Sequence, residues 1–386
     1  MSIYEESLQL HKEHTGKIAI CGKVPLETRK DLSLAYTPGV AAACREIAKN
    51  KDDVYTYTFK GNAVAVVSDG SAVLGLGNIG PEAGLPVMEG KALIFKEFAN
   101  IDAIPVCLGT QNADEIVQIV KSLAPTFGGI NLEDISAPRC FDIEARLQDI
   151  GIPVMHDDQH GTSVVVLAGL LNAAKVVAKP FADLHVVING AGAAGTAIAR
   201  FLINYGLPGS NLILCDSKSI IVEGRPDIAS NPAKQELARL TNRQKRTGSL
   251  EQAIVGADVF LGLSVKDALS PTFVKTMARD PIIFAMANPD PEIMPDVARA
   301  QGAAIVATGR SDFPNQANNA LGFPGIFRGA LDVRAKRITM PMKIAAAEAL
   351  AGLVPHPTSE NILPAVTDRH VVPVVAHAVA RAWQEQ

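Results

Sequence analysis

The sequence predicts an α/β protein of two layered domains, the C-terminal one a doubly wound, Rossmann-type parallel sheet. Three observations carry that prediction. At 386 residues, with 48% hydrophobic, 20% charged and 5% aromatic residues, the chain supplies two cores of ordinary size rich in small aliphatic side chains. Short β-branched runs alternate with helical stretches along most of its length. The spelling G-x-G-x-x-G also occurs twice, from Gly75 to Gly80 and from Gly190 to Gly195.

Residues 1–158 form the first predicted domain. "AVAVVS" (Ala63–Ser68), "IDAIPVCL" (Ile101–Leu108) and "GIPVMHDD" (Gly151–Asp158) read as buried strands, and "NADEIVQIVKSLAPT" as a helix between two of them. The first glycine motif lies here and reads as a loop, because Pro81, Gly84 and Pro86 oppose a helix starting in the usual place. Asp102, the acid at the right distance for a ribose, precedes its apolar run instead of ending it. "TSVVVLAGLLNAAKVV" (Thr162–Val177) is apolar nearly all round and reads as a buried helix joining the domains, capped by Thr162.

Residues 159–386 form the second predicted domain, with strands in "LHVVIN", "NLILCD", "ADVFLGL", "PIIFAMANP" and "AAIVATG". "LHVVIN" runs directly into Gly190, and no proline interrupts the helical stretch after Gly195, so strand, tight turn and helix follow in order. The backbone of Gly190, Ala191, Gly192, Ala193, Ala194 and Gly195 is therefore placed to meet a dinucleotide pyrophosphate at a helix N-terminus. Asp216 ends the next apolar run, where a ribose-binding acid is expected. "MKIAAAEALAGL" and "VVPVVAHAVARAWQEQ" read as helices packing back over the domain junction.

A net charge of -4 argues against a nucleic-acid partner, and the basic stretch Arg239–Arg246 reads as a solvated helix end. The five cysteines form no C-x-x-C pair and no zinc spacing, so they are expected to be reduced and mostly in the core. The N-terminal stretch lacks the apolar segment of a signal peptide, and no apolar run reaches the ~18 residues of a membrane span. The expected location is the cytoplasm, with no membrane partner.

Chemistry concentrates in a few segments. Glu133–Asp134 and Asp157–Asp158 place adjacent carboxylates at the ends of two apolar runs, which suits Mg²⁺ or Mn²⁺ held by oxygen ligands and equally suits loop acids or helix N-caps. His156 and His160 flank the second pair without a third soft ligand, which disfavours zinc. Tyr36 precedes a Pro-Gly turn and Lys91 follows a glycine at an expected helix start; a lysine with a depressed pKa is a base, and a tyrosine beside it a proton donor. Asn288, Asn318 and Asn319 offer amides suited to carboxylate or carboxamide groups.

Taken together, "LAYTPGV", "VSDGSAVLGLGNIG", "MEGKALI", "INLEDISAPRCFDIE", "HDDQHGTSVVVLAGLLNA", "NGAGAAGTAIAR", "ANPDPE" and "NQANNALGFPGI" resemble the malic enzyme family over nearly the whole chain, in its short, bacterial-type form. The resemblance implies oxidative decarboxylation of (S)-malate to pyruvate and CO₂ with NAD or NADP. It implies Tyr36 as general acid, Lys91 as general base, and Glu133, Asp134 and Asp158 as ligands of Mg²⁺ or Mn²⁺. Asn288 and Asn319 become substrate contacts, with Asp157 and Asn318 beside them, and the first glycine motif becomes a loop shaping the cleft. A homodimer or higher homo-oligomer is expected.

Two departures stand out: "SAV" lacks the arginine with which the long forms bind a substrate carboxylate, and no phosphotransacetylase-like stretch is read in these residues, so a form without that fusion is expected. A malolactic-type or oxaloacetate-decarboxylating activity is the rival within enzymes. A non-catalytic nucleotide sensor is the rival outside them, and it should have lost part of the acid, base and metal set. Asp216 favours NAD and Lys218 could offset it, which leaves the choice between NAD and NADP open.

Overall fold

The structure, a computed structural model, describes residues 2–386, Leu74 by its backbone alone. Strands β1 (Ala63–Ser68), β2 (Asp102–Cys107), β3 (Gly129–Leu132) and β4 (Val154–His156) pair in parallel in the order β2-β1-β3-β4. Strand β1 is buried at every position, which is why its sequence does not alternate. Pro105 sits in β2, an edge strand that tolerates a missing N–H.

The second sheet contains β5 (Val186–Asn189), β6 (Leu212–Cys215), β7 (Val259–Gly262), β8 (Ile282–Ala285) and β9 (Ile305–Thr308), all parallel, in the order β6-β5-β7-β8-β9. In each sheet the chain steps to one side of its first strand and then crosses to the other. Each therefore has a switch point, between β1 and β3 and between β5 and β7, where the loops diverge beyond the carboxyl ends and leave a crevice.

Three helices near the N-terminus, α1 (Ile3–His14), α2 (Arg29–Ala35) and α3 (Val40–Lys49), bury no residue. The others of two turns or more are α4 (Pro81–Ala99), α5 (Ala113–Leu123), α6 (Arg139–Arg146), α7 (Asp157–Val176), α8 (Ala193–Tyr205), α9 (Pro232–Leu240), α10 (Phe323–Asp332), α11 (Met340–Gly352) and α12 (Val371–Gln384). Helix α7 is sunk in a continuous core that also takes in Val64 and Val66 of β1, Ile188 of β5 and Phe284 of β8. The C-terminal helices fold back over the junction as expected: Phe323 and Phe327 of α10 pack edge-on against Phe95 of α4, with ring centroids 4.7 and 5.4 Å apart.

Four expectations need correction. The first glycine motif does lead into a helix, since α4 begins at Pro81 immediately after Gly80; a proline at the first helical position gives up an N–H that has no partner there anyway. Lys91 consequently lies in the middle of α4, not at a helix start. Helix α7 begins at Asp157, five residues before Thr162, so Asp157 and Asp158 occupy its first turn and Thr162 is no cap. Of the cysteines, all free, Cys140 and Cys215 are buried while Cys21 and Cys44 are exposed. No described helix is long and apolar enough to cross a membrane.

Candidate active site

Strand ends from both sheets meet at a cleft of about 520 Å³. Lys91, Glu133, Asp134, Asp158 and Thr162 line it from the first sheet, α4 and α7; Gly192, Ala193, Ala194, Ser264, Asn288, Asn318 and Asn319 line it from the second half. The glycine motif after β5 behaves as its spelling implies. A Cβ on Gly195 would lie 1.8 Å from the Gly190 carbonyl oxygen, so only glycine permits the tight turn, whereas a Cβ on Gly192 would meet nothing within 4 Å. No side chain caps α8 at Gly192, so the N–H groups of its first turn are left for a ligand in the cleft.

Glu133 and Asp134 follow β3, and Asp158 stands in the first turn of α7 after β4. Each offers a carboxylate oxygen within 4.8 Å of the others, and Glu133 and Asp134 are buried. The Asp134 N–H donates to Asp158 Oδ2 at 2.9 Å, which ties the two strand ends together. Asn131 Nδ2 holds the outer oxygen of Glu133 at 2.8 Å. Neither His156 nor His160 belongs to this ligand set, although His156 Nδ1 lies 3.8 Å from Asp158 Oδ2.

Lys91 reaches the cluster from α4. Its Nζ lies 2.7 Å from Asp157 Oδ2 and 2.9 Å from Glu133 Oε1, above the Phe323 ring. Burial by itself would lower its pKa, but the carboxylates of Asp157, Glu133 and Asp158 outweigh burial and raise it. The expected depressed lysine is thus not observed, because three acids face one buried cation. Burial raises the Asp157 carboxyl, with Glu133 and Asp158 adding to the rise and Lys91 opposing it. Burial raises Glu133 as well, with Lys91 opposing the rise and Asp158 adding to it.

Asn288 follows β8, and Asn318 and Asn319 follow β9; all three line the cleft, although Asn318 Oδ1 is already taken by the Ala320 N–H at 2.9 Å. Two expected residues are placed otherwise. Asp216 directly follows β6, yet its side chain is only 7% exposed: it is paired with Arg225, accepts from Lys234 at 2.6 Å, and takes the Lys218 and Ser219 N–H groups. Despite its burial these partners pull its pKa down, and the carboxylate is not free for a ribose hydroxyl. Tyr36 closes α2, is 66% exposed and does not line the cleft, so it is not beside Lys91.

The structure also brings forward residues that the sequence reading passed over. Glu144 of α6 is buried and accepts from the His156 N–H at 3.0 Å, Gln159 Nε2 at 3.2 Å and His160 at 2.9 Å, all in the turn that carries Asp157 and Asp158. Lys343 of α11 approaches the other ring nitrogen of His160 at 3.1 Å. Burial opposes the ionised form of Glu144, but His160 and Lys343 more than offset it and hold the carboxyl at about 2. Its signal was legible: Cys140, Ile143, Glu144 and Leu147 share a buried helical stripe, and an acid on such a stripe needs partners. Asp69, fully buried, pairs with Arg139 at 2.7 Å and so links the first glycine loop to the segment after Asp134.

Comparison with known proteins gives the family of the chain. Residues 159–384 match the family model for the malic enzyme NAD binding domain, and residues 15–115 and 109–148 match that for the malic enzyme N-terminal domain. The bifunctional malic/malolactic enzyme of Bacillus subtilis is 58% identical over 100% of this chain and 94% of its own length. The NAD-dependent malic enzyme of Geobacillus stearothermophilus is 55% identical over 95% of this chain and 76% of its own. The crystal structure of the NAD-dependent malic enzyme of Thermotoga maritima superposes with a TM-score of 0.93 at 50% identity, covering 97% of this chain and 98% of that one.

Proposed function

The chain belongs to the malic enzyme family, NAD(P)-dependent oxidoreductases that oxidatively decarboxylate malate, and we propose that the cleft performs this reaction through Lys91, Tyr36, three acids and two amides. The observation that carries the proposal is the convergence of Glu133, Asp134, Asp158, Lys91 and Asn288 on one cleft that also receives the uncapped start of α8. The donor set fits Mg²⁺ or Mn²⁺, because hard carboxylate oxygens crowd together around too little positive charge. When bound, such an ion at Glu133, Asp134 and Asp158 supplies a Lewis acid for the C2 oxygen of malate, and NAD or NADP along α8 supplies the hydride acceptor.

The chain's own groups do the rest. A cation at Glu133 and Asp158 would offset two of the three carboxylates that raise Lys91, leaving Asp157, the strongest of them, as its hydrogen-bond partner. Lys91 takes the hydroxyl proton of malate, and Asp157 at 2.7 Å is placed to receive it in turn. Asn288 and Asn319 bind the substrate carboxylate, the task an arginine performs in the long forms. After CO₂ leaves, Tyr36 donates the proton that C3 of the enol requires.

Tyr36 must reach the cleft from elsewhere. It belongs to a segment whose Ile3, Leu8, Ile20, Val24, Leu26 and Leu34 are all 63–93% exposed and whose first three helices bury no residue, which leaves these apolar side chains for a partner to cover. A second copy of the chain covers that surface in our reading, so that each subunit lends Tyr36 to its partner's cleft in a homodimer. The similarity to a malic/malolactic enzyme makes lactate formation the second reading. The deciding assay supplies malate, Mn²⁺ and NAD or NADP: pyruvate, CO₂ and reduced cofactor should appear in equal amounts, and lactate without net cofactor reduction would refute the oxidative reading.

A further inference from the structure

Glu292, in the irregular segment after β8, is fully buried and does not line the cleft. Its carboxylate nevertheless joins two loops that do. Oε1 accepts the Ser264 N–H at 2.8 Å and Oε2 accepts the Ala287 N–H at 3.0 Å. Ser264 lies just beyond β7 and Ala287 just beyond β8, and these strands are parallel neighbours. Past the strand ends the sheet ladder no longer satisfies such N–H groups, and a buried donor left unpaired is costly. The site is shaped for the carboxylate: a Cβ on Gly262, in β7, would fall 2.4 Å from Glu292 Cδ.

Asn288 follows Ala287 directly. Its amide makes only a long contact, 3.4 Å, from Nδ2 to the Met286 carbonyl, so hydrogen bonds of its own do not fix its place. Its backbone does, together with the space left at Gly309, where a Cβ would meet Asn288 Nδ2 at 3.0 Å. A displaced Ala287 N–H would carry the amide with it.

We propose that Glu292 is a positioning residue that locks the loops after β7 and β8 together and so aims the Asn288 amide at the malate carboxylate. The proposal rests on the assignment of Asn288 as a substrate contact. Glutamine cannot replace Glu292, because it offers one oxygen to two N–H donors and turns its own NH₂ against the second. Aspartate keeps the charge but is too short to reach both donors.

A double-mutant cycle on the full-length protein tests this. Glu292→Gln, Asn288→Ala and the double variant are compared by kcat/KM for malate at saturating cofactor and Mn²⁺, with NADH affinity followed by fluorescence. Each single substitution should lower kcat/KM by roughly 20-fold or more, as a misplaced contact does, while the double variant falls no more than about twofold below Asn288→Ala. NADH affinity should stay within about threefold of wild type, since Glu292 itself makes no hydrogen bond to the Gly190–Gly195 turn. Losses that multiply in the double variant would show that Glu292 acts independently of Asn288 and would overturn the proposal while sparing the Asn288 assignment. Wild-type kcat/KM in Asn288→Ala would instead overturn the substrate contact, and the role of Glu292 with it. Should Glu292→Gln not fold, Glu292→Asp enters the same cycle with the same expected non-additivity.

Discussion

Replacing Glu144 by glutamine tests whether the turn bearing Asp157 and Asp158 is held by a carboxylate charge. Glu144 accepts from the His156 backbone and from the side chains of Gln159 and His160, and a glutamine oxygen cannot serve three donors while its own NH₂ faces one of them. The hydrogen bonds set the size of the loss. Bonds to a charged acceptor are each worth about 1.5–3 kcal/mol, and at least one is lost. The lowering of the carboxyl from an ordinary 4.5 to about 2 has the same sign, but much of it comes from charge on His160, whose own pKa burial lowers, so at pH 7 the hydrogen bonds and Lys343 carry the effect.

The sign follows from the direction of that lowering. The folded protein binds the Glu144 proton more weakly than the unfolded chain, so the contribution is complete above 4.5 and disappears as the pH falls toward 2. Urea denaturation of both proteins at pH 7 should show the variant less stable by about 1.5–3 kcal/mol, with the difference shrinking steadily below pH 4.5. Carboxylates common to both proteins cancel in that comparison. Because the lost bonds support the turn of Asp158, Mn²⁺ affinity read by electron paramagnetic resonance should fall by roughly tenfold or more. A difference under about 1 kcal/mol at pH 7, or one that does not change down to pH 3, would refute the reasoning.

Three further outcomes are expected. Asp158→Asn should abolish measurable Mn²⁺ binding and activity together, and full turnover of the wild type in excess EDTA would contradict the metal assignment. Gly192→Val should weaken NADH binding at least about tenfold more than Gly77→Val. Gly77 has φ +76, so its valine variant carries backbone strain that must be separated from binding by confirming that it folds. Tyr36→Phe and Lys91→Ala should each be inactive alone, yet refolded together they should recover up to about a quarter of wild-type activity, because half the dimers are mixed and each mixed dimer keeps one intact cleft. No recovery where mixed dimers are demonstrated would place Tyr36 in its own chain's site.

Much of the fold was legible because burial dominates the pattern. The runs around β1, β5, β7 and β8 are continuous and apolar, as strands covered on both faces must be, and their order along the chain leaves little beyond a parallel arrangement. Errors arose where polar residues are buried. The stretch from Asp157 to His160 looks like a turn by hydropathy, yet Asp157 and Gln159 are buried as the first turn of α7, their polarity consumed by Lys91 and Glu144. Pro81 was misread because proline breaks a helix in its interior but suits its first position, and spelling alone does not say which of the two applies.

The site residues divide by the same physics. Glu133, Asp134, Asp158 and Asn288 were legible because strand ends deliver them to a crevice whose position the topology dictates. Asp216 also stands at a strand end, and spacing identified that place correctly; what spacing could not reveal is that Arg225 and Lys234, contributed from later segments, already occupy the carboxylate. A group's address follows from local sequence, but its freedom to act depends on every partner that folding brings to it. Lys91 makes the point most sharply. Sequence places it at a glycine and says nothing of its charge, whereas folding sets it between Asp157 and Glu133, and these acids, with Asp158, raise its pKa against the effect of burial. The protonation of a buried lysine is therefore set by carboxylates that β3 and α7 bring to it from 42 and 66 residues further along the chain, which the sequence around Lys91 does not express.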